Sequence, residues 1–158
     1  MTQSSPNEAS EALVSSRMLL LQSGTIVLSN NEVRSLSPLA LAYVGDAVYE
    51  LFVRSRCLMP PKQVRRFHQQ VVSHVRAEQQ AHYLGYLRPH LTDAEADVVR
   101  RGRNAAPNRG QRASRQDYQQ ATAFEALLGY LYLTNAERLM EILNALPLDM
   151  NEPQSSSS

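Results

Sequence analysis

The chain has 158 residues, 43% hydrophobic and 20% charged, with no Trp. This composition excludes disordered and fibrous classes and leaves room for one domain with a single core. Its net charge of +1 conceals a segregation: residues 54–115 carry twelve Arg and one Lys against four acids, a balance of +9, while the remainder is −8. Such a basic middle is expected to meet a polyanion.

The lone cysteine, Cys57, excludes an internal disulfide, and no Cys/His cluster has zinc spacing, so a reducing, cytoplasmic setting is expected. The first segment, 1–32, is predicted to be disordered or loosely ordered, Ser-, Asn- and Glu-rich at its start. Its apolar stretch Met18–Leu21 is cut by Gln22, Ser23 and Gly24 and preceded by Glu8 and Glu11, too short and too acidic for a signal peptide or membrane span. The working domain is expected at 33–148, and 149–158, ending in four serines, is read as a disordered tail.

Ser37-Pro38 reads as the N-cap and first position of a helix running to Leu58, which Pro60-Pro61 ends. The next helix places Val64, Phe67, Val71 and Val75 at steps of three and four, one core-facing stripe with Arg65, Arg66 and Arg76 off it. A short helix over Ala77–Leu87 ends near Pro89, and Thr92-Asp93-Ala94-Glu95 is a capping box opening a fourth, which finishes in Arg100, Arg101 and Arg103. Asn104 to Gln116 holds Pro, Gly, Asn and Arg109, Arg112 and Arg115 with no acid, and is predicted to be an exposed basic loop. Tyr118 to Leu133 forms a helix with a nearly continuous apolar face, and Asn135 caps a last amphipathic helix carrying Leu139, Ile142 and Leu146. No stretch alternates as a strand would, so the domain is predicted all-α, with about six helices.

Two carboxylates stand in helices of mostly apolar neighbours: Asp46 in AYVGDAVYEL and Glu125 in ATAFEALLGYLYL. A charge in such a place wants a partner. One reading pairs each with an Arg or a buried backbone group; the other brings them together across a helix pair to hold a divalent metal, for which Mg2+ with its retained waters needs only one or two protein carboxylates. Gly45, beside Asp46, costs a helix about 1 kcal/mol relative to Ala and signals a close backbone or ligand approach. Gly129, four after Glu125, repeats the pattern, with tight helix packing an equally good reason. Glu50, one turn beyond Asp46, either assists the metal through water or holds an Arg, and the second role is preferred. His68, His74, His82 and His90 are read as surface or helix-face residues.

LAYVGDAVYEL (Leu41 to Leu51) resembles the ribonuclease III signature, and ATAFEALLGYLYL (Ala121 to Leu133) resembles that family's second carboxylate helix. With the run RRGRNA beginning at Arg100, the similarity is greatest to the Mini-III subfamily and covers about residues 36–147. The resemblance implies the ribonuclease III catalytic domain fold without a double-stranded-RNA-binding domain, with Asp46 and Glu125 as catalytic metal ligands for Mg2+, or Mn2+ in its place. Two positions depart from the four-carboxylate pattern of full-length members: Ala42 stands where the first signature has Glu, and Thr122 where the second helix has Asp.

The activity so implied is endonucleolytic hydrolysis of double-stranded RNA to 5'-phosphate products by a homodimer, with a ribosomal RNA precursor as substrate. A ribosomal-protein helper is compatible with this, and no membrane partner is expected. Arg100, Arg101, Arg103, Arg109, Arg112 and Arg115 are expected to bind RNA, since A-form duplexes are gripped through phosphates and 2'-hydroxyls. Arg outnumbers Lys fifteen to one. Its planar fork suits phosphate, although a GC-rich genome gives the same bias without the clustering. Tyr43, Tyr49, Phe52, Tyr130 and Tyr132 are available to core and dimer interface alike. The rival reading is a catalytically inactive ribonuclease III-like RNA-binding or ribosome-associated protein, favoured by Ala42 and Thr122. A helical DNA-binding regulator would need a helix-turn-helix unit.

Overall fold

A computed structural model describes residues 28–108 and 112–149. Segments 1–27 and 150–158, and with them most of the expected disordered ends, lie outside the described residues. Among the described residues are α1 (Asn30–Ser35), α2 (Pro38–Cys57), α3 (Val64–Val75), α4 (Ala77–Leu87), a 3-10 turn (Arg88–His90), α5 (Asp93–Ala105), α6 (Arg112–Thr134) and α7 (Ala136–Ala145), and no strand. The fold is all-α, and no described helix is long and apolar enough to cross a membrane.

The helix starts follow from side-chain capping of backbone N–H groups that have no partner in the first turn. Ser37 Oγ accepts from Ala40 N at 3.1 Å ahead of Pro38. Thr92 and Glu95 close the reciprocal capping box, at 2.9 and 3.3 Å. Asn135 Oδ1 accepts from Arg138 N at 3.0 Å. A second box, Ser29 with Glu32, opens α1, which therefore begins before residue 33.

α6 also starts earlier than its apolar face announces, at Arg112 rather than Tyr118. Beyond Gly110 the sequence holds neither Gly nor Pro for eighteen residues, so nothing stops the helix from extending back past its buried part. Arg112 and Arg115 accordingly stand on the first turns of α6, not in a loop, and Arg115 is half-buried. Arg109 lies outside the described residues.

α6 is the axis of the molecule, packed along α2, α4 and α5 and touching α1 and α7. Phe124, Leu127 and Leu128 are fully buried along it, and the core continues through Tyr49, Val53, Tyr83, Leu84, Leu139 and Leu143 of the surrounding helices. Truncating either leucine to Ala would cost about 2–5 kcal/mol in lost contacts and residual cavity. Tyr49 of α2 meets Phe124 edge-on, centroids 5.0 Å apart, and its hydroxyl donates to the His74 carbonyl at 3.0 Å, tying α2 to the end of α3.

Two expectations about α3 need correction. Val64 is 81% exposed because the stripe tilts out of the core at the start of the helix, and only Phe67, Val71 and Val75 reach inward. His74 is 6% exposed rather than a surface residue, with Nδ1 2.9 Å from the Tyr83 hydroxyl. Burial lowers its pKa. A hydroxyl partner on α4 makes a neutral imidazole cheaper to bury than the polar residue type suggests.

Candidate active site

The helix pair α2/α6 carries both carboxylates, and two glycines decide how closely it packs. A Cβ on Gly45 would fall 1.8 Å from the Glu125 carbonyl oxygen, and one on Gly129 would fall 1.9 Å from the Leu41 carbonyl oxygen. Backbone therefore lies on backbone at both points, the close approach that side chains forbid. Gly102 of α5 repeats the arrangement against Ala123 and Ala126 of α6. The result is that Asp46, one residue past Gly45, stands beside Glu125, four residues before Gly129.

Asp46 is exposed at the mouth of this contact, and Glu125 is half-buried within it. Burial raises the Asp46 pKa, helped by the charge of Glu50. The Glu125 carboxyl is pushed up to about 7, first by burial and then by the negative charge of Asp46, with the Gln80 amide pulling it back by hydrogen bonding. Among the described residues neither carboxylate has an ion-pair partner. The reading in which each is neutralised by an Arg is thus not what the fold does.

Glu50 behaves as the preferred reading had it, paired with Arg54 at 2.6 Å on the same helix. The two departed positions are closed off. Ala42 is buried in the small cluster of Val33, Leu41, Val98 and Ala126, and the Thr122 hydroxyl donates to the Tyr118 carbonyl at 3.0 Å. Ala42 has no side-chain oxygen, and the Thr122 hydroxyl is buried and turned back onto its own helix.

No group of three or more His, Cys, Asp or Glu converges among the described residues. The pair Asp46/Glu125 is nevertheless a fitting donor set for Mg2+: hard oxygens, net negative, without an ion-pair partner among the described residues, and open to solvent on the Asp46 side.

A third group at this site carries no charge and was not singled out from sequence. Gln80 of α4 is 2% exposed, with its amide against the Glu125 carboxyl. The signal for its burial is the spacing alone: Gln80, Tyr83, Leu84 and Leu87 share one face of α4.

The expected RNA-binding arginines divide. Arg100 and Arg103 are exposed on α5 and, with Arg88, Asn104 and Leu91, line an open cleft of about 180 Å³. Arg100 pairs with Asp97, and Arg88 donates to Gln120 Oε1 at 2.6 Å. Arg101 is half-buried on the same helix.

A separate surface is apolar. Leu39, Tyr43 and Leu51 of α2 are exposed, Tyr43 at 85%, on the same face that presents Asp46 and Ala47. Tyr49, Phe52 and Tyr132 are core residues, and Tyr130 packs half-buried against it.

Residues 39–136 match the family described as the ribonuclease III domain. The chain is 55% identical over 111 residues to a Mini-ribonuclease 3 of Thermosynechococcus vestitus, covering 70% of this chain and 74% of that protein. It is 54% identical over 122 residues to a Mini-ribonuclease 3 of Synechocystis, covering 77% and 85%. A Mini-ribonuclease 3 of Clostridium tetani is 35% identical over 132 residues, covering 82% and 87%. A crystal structure of a protein from Fusobacterium nucleatum is similar at a TM-score of 0.65 and 28% identity, covering 70% of this chain and 93% of that one.

Proposed function

The chain belongs to the ribonuclease III family and is an endoribonuclease, and on that premise we propose that it hydrolyses double-stranded RNA with Mg2+ held by Asp46 and Glu125. The observation that carries the reading is that Asp46 and Glu125 stand at the close α2/α6 contact that Gly45 and Gly129 allow, with no ion-pair partner for either among the described residues. Mg2+ supplies Lewis-acid activation of water and neutralises charge on the scissile phosphate. Asp46 and Glu125 would hold the ion as carboxylates, and a bound cation would favour the ionised form of Glu125. No further protein base is assigned, and Mn2+ would substitute, being a hard oxygen-seeking cation as well.

The remaining residues bind and orient the duplex. Arg100, Arg103 and Arg88 present guanidinium forks to phosphate oxygens along the α5 cleft, and Arg101, Arg109, Arg112 and Arg115 add positive charge to the same stretch of sequence. The exposed Leu39/Tyr43/Leu51 stripe of α2 supplies a self-complementary dimer interface, which would set two sites against one RNA groove. The products carry 5'-phosphates, and a ribosomal RNA precursor, met in the cytoplasm with or without a ribosomal protein, is the natural substrate in this reading.

The test is cleavage of an end-labelled double-stranded RNA in Mg2+ and in EDTA, with product ends mapped. Metal-dependent cuts leaving 5'-phosphates support the proposal. Undiminished cleavage in EDTA, or binding without cleavage across several structured RNAs including a ribosomal precursor, overturns it.

A further inference from the structure

We propose that the RNA strand engaged at Asp46 and Glu125 runs on toward the C-terminal end of α2, where the Arg54 guanidinium takes a second of its phosphates. The inference rests on the duplex-RNA reading above and adds to it a direction and a residue outside the α5 cleft.

The two sides of Asp46 differ in what they show a polyanion. Residues 37–45, on its amino-terminal side, carry no charge, and the side chains exposed there include Leu39 and Tyr43. Residues 51–77, on the other side, hold five Arg and one Lys with no acid. A polymer charged at every nucleotide continues past the site, and of these two directions the second offers it counter-charge.

Arg54 is the cation of that group that helix geometry joins to the site. Asp46, Glu50 and Arg54 follow one another at steps of four and form one ridge of α2, with Arg54 about 12 Å along the axis from Asp46. Its side chain is 55% exposed. Arg56, two residues on, is turned elsewhere: its Nη2 donates to Asn144 Oδ1 at 2.6 Å, and its guanidinium lies 5.0 Å from the centre of the Phe52 ring.

Glu50 accounts for how so long a side chain keeps its place on the ridge. Arg54 Nη2 donates to Glu50 Oε1 at 2.6 Å. A guanidinium has five N–H donors, so this contact leaves most of the fork free for phosphate oxygens, and a side chain already held loses less freedom on binding. Glu50 is thus a positioning residue, and Arg54 is the one that touches RNA.

The experiment is fluorescence anisotropy of a labelled RNA duplex titrated with the full chain in EDTA over a series of salt concentrations, with steady-state cleavage in Mg2+ alongside. The variants are Arg54→Gln, Arg54→Lys, Glu50→Gln and Arg34→Gln, the last removing the same charge from exposed α1, on the amino-terminal side of Asp46. Arg54→Gln is expected to bind about tenfold more weakly, with a slope of log affinity against log salt shallower by about one, and to raise KM while kcat changes little. Arg54→Lys and Glu50→Gln keep the cation and should keep the wild-type slope, and Arg34→Gln should keep both slope and affinity. A folded Arg54→Gln with wild-type affinity and slope would overturn the inference, as would equal losses in Arg54→Gln and Arg34→Gln, which would report net charge alone. A role confined to stabilising α2 through the ion pair would lower the melting temperature of Arg54→Gln and Glu50→Gln alike and leave the salt slope unmoved, and that result too would overturn it. Failure of the wild type to bind duplex RNA would remove the RNA reading and this inference with it, whereas binding without cleavage would remove the nuclease reading and leave the Arg54 comparison to be decided by the slopes.

Discussion

Glu95 and Glu125 are two carboxylates drawn into the same helical core, and the fold treats them in opposite ways. Glu95 is 4% exposed, receives Arg138 Nε at 2.8 Å and closes the Thr92 capping box. Burial pushes its pKa up, but the Arg138 and Thr92 hydrogen bonds outweigh it and hold the group below the usual carboxylate value. Glu125 has burial too, but the charge acting on it is that of another carboxylate, Asp46, and it rises to about 7. A buried acid with a guanidinium is scaffold, and a half-buried acid raised by another acid marks a candidate functional site. The contrast tells apart two residues that look alike in a sequence.

The comparison breaks most visibly in activity. Asp46→Asn or Glu125→Gln is expected to lower cleavage of duplex RNA about a thousandfold, or roughly 4 kcal/mol of barrier, while RNA binding by gel shift changes little. Retained cleavage in either would remove that residue from the ligand set. Glu95→Ala should do the reverse: it leaves Arg138 with only Glu141 and the His90 carbonyl and opens the α5 cap, costing about 1–3 kcal/mol in urea unfolding. Cleavage per folded molecule should be unchanged. If Glu95→Ala lost activity without losing stability, the division into scaffold and site would fail.

A pH titration sharpens the same point. A carboxyl whose pKa rises on folding keeps its proton in the folded protein where the unfolded chain has lost it, so stability declines as pH climbs through that window. For Glu125 the window runs from the ordinary glutamate value of 4.5 to about 7. The metal-free protein is therefore expected to lose stability over that range, on the order of 3 kcal/mol. Glu125→Gln should flatten the decline and be more stable than wild type at pH 8 in EDTA. A Glu125→Gln curve parallel to wild type would assign the decline elsewhere. The smallest effect is expected from Glu50→Gln, which breaks an exposed pair with Arg54 worth at most about 1 kcal/mol. Its cleavage rate should stay within about threefold of wild type, and a larger loss would draw Glu50 into the metal site.

Most of the helices were legible because their boundaries are local chemistry. Ser37-Pro38, Pro60-Pro61, the Thr92/Glu95 box and Asn135 stop and start helices through bonds within four residues, and the structure places those boundaries as expected. The start of α6 was not legible, since an Arg- and Gln-rich helical turn and a basic loop have the same composition. Asp46, Glu125 and Gly45 were legible as anomalies, polar or flexible residues in apolar helices.

What long-range packing decides was hidden. The sequence does not say that Asp46 is exposed while Glu125 is half-buried, that Glu95 finds Arg138 across forty-three residues, or that Gln80 turns its amide toward Glu125. Val64 and His74 exchanged their expected environments for the same reason: a stripe on one helix has no inside until its neighbours are placed.

The central claim, that Asp46 and Glu125 form one cation site, is tested most directly by thermal unfolding at pH 7.5 with and without Mg2+ or Mn2+. Wild type and the double variant Asp46→Asn/Glu125→Gln would be compared. Binding to the folded state alone must raise its melting temperature with cation concentration. The account predicts a concentration-dependent rise in wild type and none in the double variant. An equal rise in both, or no rise in wild type with either ion, would contradict it.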